Sequence, residues 1–314
     1  MVKVDRASFL FSQQQKIFPG GLAMLRGVDH IVVAVRDLEA ARALYAALGF
    51  TVTPTFHHPF GTQSAHVQLE GTFLELLAIE DETLMPPQGE GEFSFARFNL
   101  AFLEKRQGAS MLVLRSCDRA ADLEAFKALG LRTFPPFDFG RKAEWPDGRE
   151  AEVGFALGFV QDPLMMETGF FVCQHKHPPE LFWKKQFQTH RNGARNLASV
   201  LFVAHNPSDH HEFLGGFSGQ RVMRSSSAGV MMDIDGSDLQ LLTPSACKAF
   251  YDLEVPNDLP EEGGILGLRI ALDMARAKAV LDEAQIPYSI HNGQYILQAE
   301  TTNGVGLVLC EASD

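Results

Sequence analysis

Cysteine is scarce and scattered in this chain. The four cysteines, Cys117, Cys173, Cys247 and Cys310, form no CxxC pair and no spacing of a disulfide framework or zinc knuckle, so reduced and mostly buried thiols are expected. Positive charge is short too: 27 Lys and Arg against 39 Asp and Glu give a formal net charge of -12, a field that works against binding a phosphate backbone. Nucleic acid is thereby set aside as a partner. There is no basic run, no Lys/Arg-rich amphipathic stretch and no apolar run of the ~18–20 residues a membrane span needs. Ahead of Gln13, Gln14 and Gln15 only Ser8–Phe11 is apolar, too short for the core of a signal peptide. The expectation is a cytoplasmic protein with neither a membrane nor a nucleic-acid partner.

The chain does have material for cores: 46% of its 314 residues are hydrophobic and 21% charged, and at ~100–200 residues per domain this length gives two folded halves. An internal repeat refines that count. His30–Val35 is an apolar run followed by Asp37, then by Leu38, Ala41, Leu44, Tyr45 and Leu48 at helical spacing, and a stop at Gly49-Phe50. Met111–Leu114 is followed by Asp118, then Leu123, Phe126 and Leu129, and a stop at Gly130-Leu131. In both, Asp and Gly stand twelve positions apart, the length of a three-turn helix with an Asp N-cap and a left-handed Gly after its end. Val200–Ala204 with Asn206, Phe213 and Leu214, and Leu268–Leu272 with Asp273, Val280 and Leu281, repeat the pattern with weaker helix ends.

Short β-like runs follow each helix: Phe50–Thr55, Ser64–Leu69 and Thr72–Ile79 in the first unit, and Gln220–Arg224, Val230–Ile234 and Leu239–Leu242 in the third. Turn residues separate them, among them Glu70-Gly71, Pro135-Pro136, Pro146-Asp147-Gly148 and Asp235-Gly236. Each unit reads strand, helix, three strands. The predicted class is α+β: four βαβββ modules, paired so that each pair buries a curved sheet face around a cleft. The boundaries are an N-terminal arm over 1–23, a first pair over 24–176, a linker over 177–195 and a second, divergent pair over 196–314.

Several stretches carry a family resemblance. Val28–Leu38, the helix end Leu48-Gly49-Phe50, the loop His58-Pro59-Phe60-Gly61-Thr62 and Phe73–Leu77 resemble a glyoxalase-like module of the vicinal oxygen chelate superfamily, which includes glyoxalases, bleomycin-resistance proteins and extradiol dioxygenases. Pro146–Gly148, Phe170–His175 and Pro178–Trp183 are similar to the second module of the same proteins. The resemblance implies a divalent metal, Fe, Mn, Ni, Co or Zn, which binds two neighbouring oxygens of a small substrate as a Lewis acid. It places one ligand on the first strand and one on the last strand of a module, here His30 and Glu75, with Glu75 also the catalytic residue.

Alternation puts Glu75 on one face with Phe73 and Leu77, and a carboxylate in so apolar a strand is costly unless paired or bound to metal. In the second module the slots fall near Ser110 and Met111 and in Val172–His175. A two-histidine, one-carboxylate set therefore needs His175, His58 or His66 to close it, and His175 is taken as the third ligand. His58, Gly61, Thr62, Arg141 and Phe171 are the candidate substrate-binding residues. In the C-terminal half the slots hold Ser199, Gln240, about Leu268, and Val308, which make no metal pair, and that half is expected to be structural or to supply a homodimer surface. His205, His210, His211, His175, His177 and His190, and the basic trio Arg141, Lys142 and Arg149, otherwise read as polar side chains in solvent, near turns or the linker. Two functions are expected as alternatives: a metal-dependent lyase, isomerase or dioxygenase, or a metal-free protein that binds or sequesters a small molecule in the same cleft.

Overall fold

Capping chemistry sets where the helices begin. In a computed structural model, which describes residues 25–144 and 148–312, β1 (Val28–Ala34) leads into α1 (Leu38–Ala47), and the Asp37 carboxylate accepts the Ala40 N–H as N-cap. Gly49 follows with φ 86°, a left-handed turn that only glycine adopts without strain. The rest of this unit is β2 (Phe56–His57), β3 (Thr62–Gln68) and β4 (Phe73–Ile79). After α2 (Phe95–Lys105) the second unit comprises β5 (Gly108–Arg115), α3 (Arg119–Ala128), β6 (Arg132–Thr133), β7 (Phe137–Glu144), β8 (Glu150–Gln161) and β9 (Gly169–His175). Asp118 and Gly130 there repeat the roles of Asp37 and Gly49.

A short helix α4 (Pro179–Phe182) precedes the third unit: β10 (Asn196–Val203), α5 (His211–Ser218), β11 (Arg224–Ser226), β12 (Gly229–Ile234) and β13 (Ser237–Leu242). Then come α6 (Pro244–Tyr251) and the fourth unit: β14 (Gly264–Leu272), α7 (Met274–Glu283), β15 (Ser289–His291), β16 (Gln294–Leu297) and β17 (Gly306–Glu311). The four βαβββ modules form two mixed sheets. The first runs β2-β3-β4-β1-β5-β9-β8-β6, with β7 paired to β8, and the second runs β11-β12-β13-β10-β14-β17-β16-β15. In each sheet two modules meet through their antiparallel first strands, β1 with β5 and β10 with β14. The assumed arm over 1–23 lies outside the described residues, as do Pro146 and Asp147 of the predicted turn.

Alternation sorts the side chains into three layers. Ile31, Val33, Leu112, Phe170 and Val172 of the first sheet pack with Val200, Phe202, Leu268, Ile270 and Leu307 of the second, together with one face of each module helix, into one core shared by the two halves. The outer face of the first sheet carries Val32, Phe73, Leu77, Met111, Val113 and Phe171. The outer face of the second carries Leu201, Val203, Leu266, Ile296 and Val308, and is covered by Cys247 and Tyr251 of α6. Among the described residues no helix is long and apolar enough to cross a membrane. Three of the cysteines are buried and Cys117 is exposed, all as free thiols.

Two predicted strands are shifted. Phe50–Thr55 is not a strand and pairing begins only at Phe56, because Pro54 has no N–H to offer a ladder. Gln220–Arg224 contracts to a strand that starts at Arg224, because the Gln220 side chain accepts the Val222 N–H and holds a local turn instead. Two histidines expected at the surface are buried. His190 spans the linker and the first sheet, through the Thr51 N–H and the Gln68 carbonyl. His210 meets Asp162 of the other half at 2.7 Å and the Glu262 carbonyl at 2.9 Å.

Candidate functional site

β1 and β4 run parallel, with Val32 beside Glu75, and β3 and β4 pair antiparallel, with His66 directly opposite Glu75. These registers bring His30, His66 and Glu75 to the outer face of the first sheet. His58 joins them from the turn after β2, where Gly61 sits at φ 82° so close to the Asp81 carbonyl that a Cβ would lie 2.1 Å from its oxygen. Three imidazole Nε2 atoms thus converge on one carboxylate: His30 at 3.6 Å, and His58 and His66 each at 3.9 Å. All four side chains are buried.

Neighbours orient the rings. Asp29 Oδ2 lies 2.6 Å from His30 Nδ1, and Thr62 Oγ1 lies 2.8 Å from His58 Nδ1, so in both rings Nε2 is the nitrogen turned to the cavity. Strict alternation would turn Asp29 to the opposite face from His30. It reaches the same side because β1 carries a bulge against β5 between Val28 and His30. His66 Nδ1 is buried without a partner, and its Nε2 lies 3.3 Å from Ser64 Oγ.

Burial pushes the Glu75 carboxyl up, but the His66, His30 and His58 imidazoles outweigh it and hold the group at about 2. Burial pushes His58 down to about 4 and lowers His66 as well, so both rings are neutral at physiological pH. Burial likewise raises the Asp29 carboxyl, and His175 and His30 beside it reverse that and hold it well below the usual range. Arg141, on β7, stands with its guanidinium carbon 3.8 Å over the Phe56 ring and is pushed down to about 10 by burial, with Glu75 opposing. It remains charged.

The cavity among these groups has a volume of about 40 Å³ and is lined by His30, His58, His66, Glu75 and Arg141 within a wall of phenylalanines that includes Phe171. Of the residues expected at the site, His30, Glu75, His58, Arg141 and Phe171 come together here. Thr62 and Gly61 act behind His58, one holding its ring and the other shaping its turn. His175 does not join the Glu75 group: its Nε2 lies 3.2 Å from Asp29, on a neighbouring cluster of Asp29, Cys173 and His175 whose ligand atoms all lie within 4.8 Å of one another. Burial and the adjacent Asp29 and Glu75 charges keep the Cys173 thiol protonated.

Register also fixes the second-module slots. Val113 pairs with Phe171 as Val32 pairs with Glu75, and Met111 lies two residues before Val113 as His30 lies two before Val32, so the counterparts of His30 and Glu75 are Met111 and Phe171. Neither binds a hard or borderline cation through oxygen or nitrogen. In the C-terminal half the same slots are Ser199, Gln240, Gly267 and Val308, with Gly267 in place of the expected Leu268. Gln240 is satisfied by Ser199 and by the Tyr251 hydroxyl at 2.7 Å. Sequence reading missed Asp29, whose role depends on the bulge, and left His66 as one choice among three. The tight Glu70-Gly71 turn pairs residues equidistant from it, and so carries the signal for His66 opposite Glu75.

Known proteins bear on this geometry. A family profile described as a glyoxalase-like domain matches residues 28–216. A hypothetical protein from Staphylococcus aureus is similar in fold at TM-score 0.66 and 13% identity, over 91% of this chain and 99% of that one. BphC, a halotolerant catechol dioxygenase, is similar at TM-score 0.53 and 8% identity, over 92% and 87%. A mutant of 4-hydroxymandelate synthase from Streptomyces coelicolor is similar at TM-score 0.51 and 12% identity, over 85% and 77%. At these identities the likeness is one of fold. A comparison with curated proteins gave no match. With a profile covering more than half of its length, the chain belongs to the glyoxalase-like domain family.

Proposed function

We propose that this protein is a divalent-metal-dependent enzyme that acts on a small molecule with two neighbouring oxygens, and that the metal is held by His30, His58 and Glu75. The observation that carries the reading is the convergence of imidazole nitrogens on the buried Glu75 carboxylate at 3.6–3.9 Å, His30 toward one of its oxygens and His58 toward the other, too long for hydrogen bonds. The donor set fits such an ion: two imidazoles and a carboxylate suit Fe(II), Mn, Co, Ni or Zn. His30 and His58 each have Nδ1 engaged by an oxygen, the outer arrangement that fixes a ligand ring and its tautomer. A bound metal would polarise a substrate oxygen and ease loss of a neighbouring proton or attack on it.

The chain's own residues then have distinct tasks. Asp29 and Thr62 orient the two rings, Glu75 balances charge, and the phenylalanine wall excludes water. His66 lies as close to Glu75 as His58 does, but no oxygen holds its Nδ1, so it is left out of the ligand set; its burial favours the neutral ring, which can take a proton from substrate. Which reaction follows, isomerisation, lyase chemistry or dioxygenation, depends on the substrate and not on these residues alone.

The second reading is a metal-free binding protein, favoured by Met111 and Phe171 in the slots of the second module. Metal content after purification without chelator separates the two. Near-stoichiometric metal in the wild type, lost in His30→Ala, His58→Ala and Glu75→Gln, supports the enzyme. Wild-type protein that stays metal-free after loading and still binds ligand refutes it.

A further inference from the structure

The Glu75 cavity is walled by more aromatic surface than an ion and its waters require. Phe60, Phe95, Phe139, Phe155, Phe171 and Phe182 face it, and several of them stand edge to face, Phe60 against Phe95 and Phe139 and Phe155 against Phe182. Walls of this kind receive a flat ring well, because ring edges and faces offer opposite partial charges. They come from β7, β8, β9, α2, α4 and the turn after β2, so the box is built by both modules and closed by the linker.

One cation stands in this wall. The largely buried Arg26, Arg106 and Arg119 each have a carboxylate partner. Arg141 has none within 4.0 Å among the described residues, and its guanidinium rests on Phe56 instead. Glu75 acts on it only at longer range and is already surrounded by three imidazoles. A planar fork of donors, charged and without a carboxylate, is suited to an incoming carboxylate. In a chain of net charge -12 such an anion needs a local cation to enter.

The free volume of about 40 Å³ is well under the ~150 Å³ that holds a benzene-sized guest, so a ring enters only if one wall moves. β7 is a wall at the edge: it pairs with β8 alone, off the main path of the sheet, and carries both Phe139 and Arg141. We infer that the cavity takes a small aromatic acid, its ring between the phenylalanines and its carboxylate on Arg141, with β7 as the side that opens. This rests on reading the Glu75 cavity as the substrate site, but not on a metal being bound there.

Calorimetric titration with benzoate, benzyl alcohol and acetate, on metal-loaded and on chelator-treated protein, tests it. Benzoate should bind at least roughly ten-fold more tightly than either of the other two, since each lacks the ring or the charge. Arg141→Gln should erase the preference over benzyl alcohol and leave metal content and circular dichroism unchanged, and Arg141→Lys should restore part of it. Benzoate binding that disappears with the metal and ignores Arg141→Gln overturns the inference, because the carboxylate would then sit on the ion; the metal reading would stand. An Arg141-dependent preference in a protein that never takes up metal supports the inference and sinks the metal reading. Equal binding of benzoate and benzyl alcohol, or no binding of either, overturns it.

Discussion

Asp29→Asn tests how the site is held together. The wild-type carboxylate is 2% exposed and touches two imidazoles, His30 Nδ1 at 2.6 Å and His175 Nε2 at 3.2 Å. The substitution keeps size and shape and removes the charge. With the amide oxygen toward His30, the Nδ1–H still has an acceptor but the ring loses basicity. With the amide nitrogen there, the ring must carry its proton on Nε2 and cannot ligate at all. Loss of such an outer partner costs about 10–100-fold in metal affinity, or about 1.4–2.8 kcal/mol. Folding suffers less than when one member of a charged pair is deleted, because the amide still offers a hydrogen-bonding partner and His175 is partly exposed. The assay is competition for Zn2+ or Mn2+ with a chromophoric chelator, run beside a thermal melt of the metal-free protein. An affinity equal to wild type, with an intact fold, refutes the assignment of His30 as a ligand oriented by Asp29. Equal falls in metal-free stability and in affinity would make Asp29 structural only.

Gly61→Ala should destabilise the chain by about 1–3 kcal/mol, since its Cβ would meet the Asp81 carbonyl at a left-handed φ, and should weaken metal binding by moving His58; denaturant melts and metal titration read both. Burial lowers the pKa of His210, but its hydrogen bond to Asp162 outweighs that and raises it above the ordinary imidazole value. The resulting stability is full below the unfolded imidazole pKa and is lost as pH rises through the folded one, so the melting temperature should fall above pH 6.5 in wild type and less in His210→Gln. His58, His66, His177 and His190 are shifted downward and so act on the other side of that window. Tyr251→Phe should cost about 0.5–1.5 kcal/mol by removing the hydrogen bond to Gln240, measured in urea, with no change in metal content.

The modules were legible because their signals are local. An Asp N-cap, a three-turn apolar stripe and a left-handed Gly all act within one helix, and they recur at Asp37 and Gly49 and at Asp118 and Gly130. His30 and Glu75 were legible as polar residues in apolar strands that fit a family pattern. What the sequence hid depends on pairing between distant strands. The bulge that turns Asp29 toward His30 exists only where β1 meets β5, about eighty residues later. His175 was expected beside Glu75, and whether it faces Glu75 or Asp29 is set by how β9 lies along β5. Arg141 was a substrate-binding candidate, but as one of three basic residues at a turn. Only the pairing of β7 with β8 separates it from Lys142 and puts it in the cavity wall.

The two halves make an internal comparison that bears on function. Both present a concave outer face with a first-strand slot and a last-strand slot, and both have a helix between their modules. In the C-terminal half that face is filled: Tyr251 and Cys247 of α6 lie on it with Leu253, the Tyr251 hydroxyl caps Gln240, and Ser199 takes the other end of the amide. The Gln240 Nε2 also donates to Asp238 at 2.9 Å, so both ends of the amide are hydrogen-bonded, as a structural face requires. In the N-terminal half the matching slots hold His30 and an ionised Glu75, faced by two further imidazoles at distances too long to hydrogen-bond. A buried carboxylate held short of its hydrogen bonds costs stability, and the other half shows that this scaffold can avoid the cost with Ser, Gln and Tyr. The N-terminal arrangement is therefore poorly explained as a way to hold the fold together. It is well explained if something enters the gap between the imidazoles and Glu75 and supplies the missing interactions.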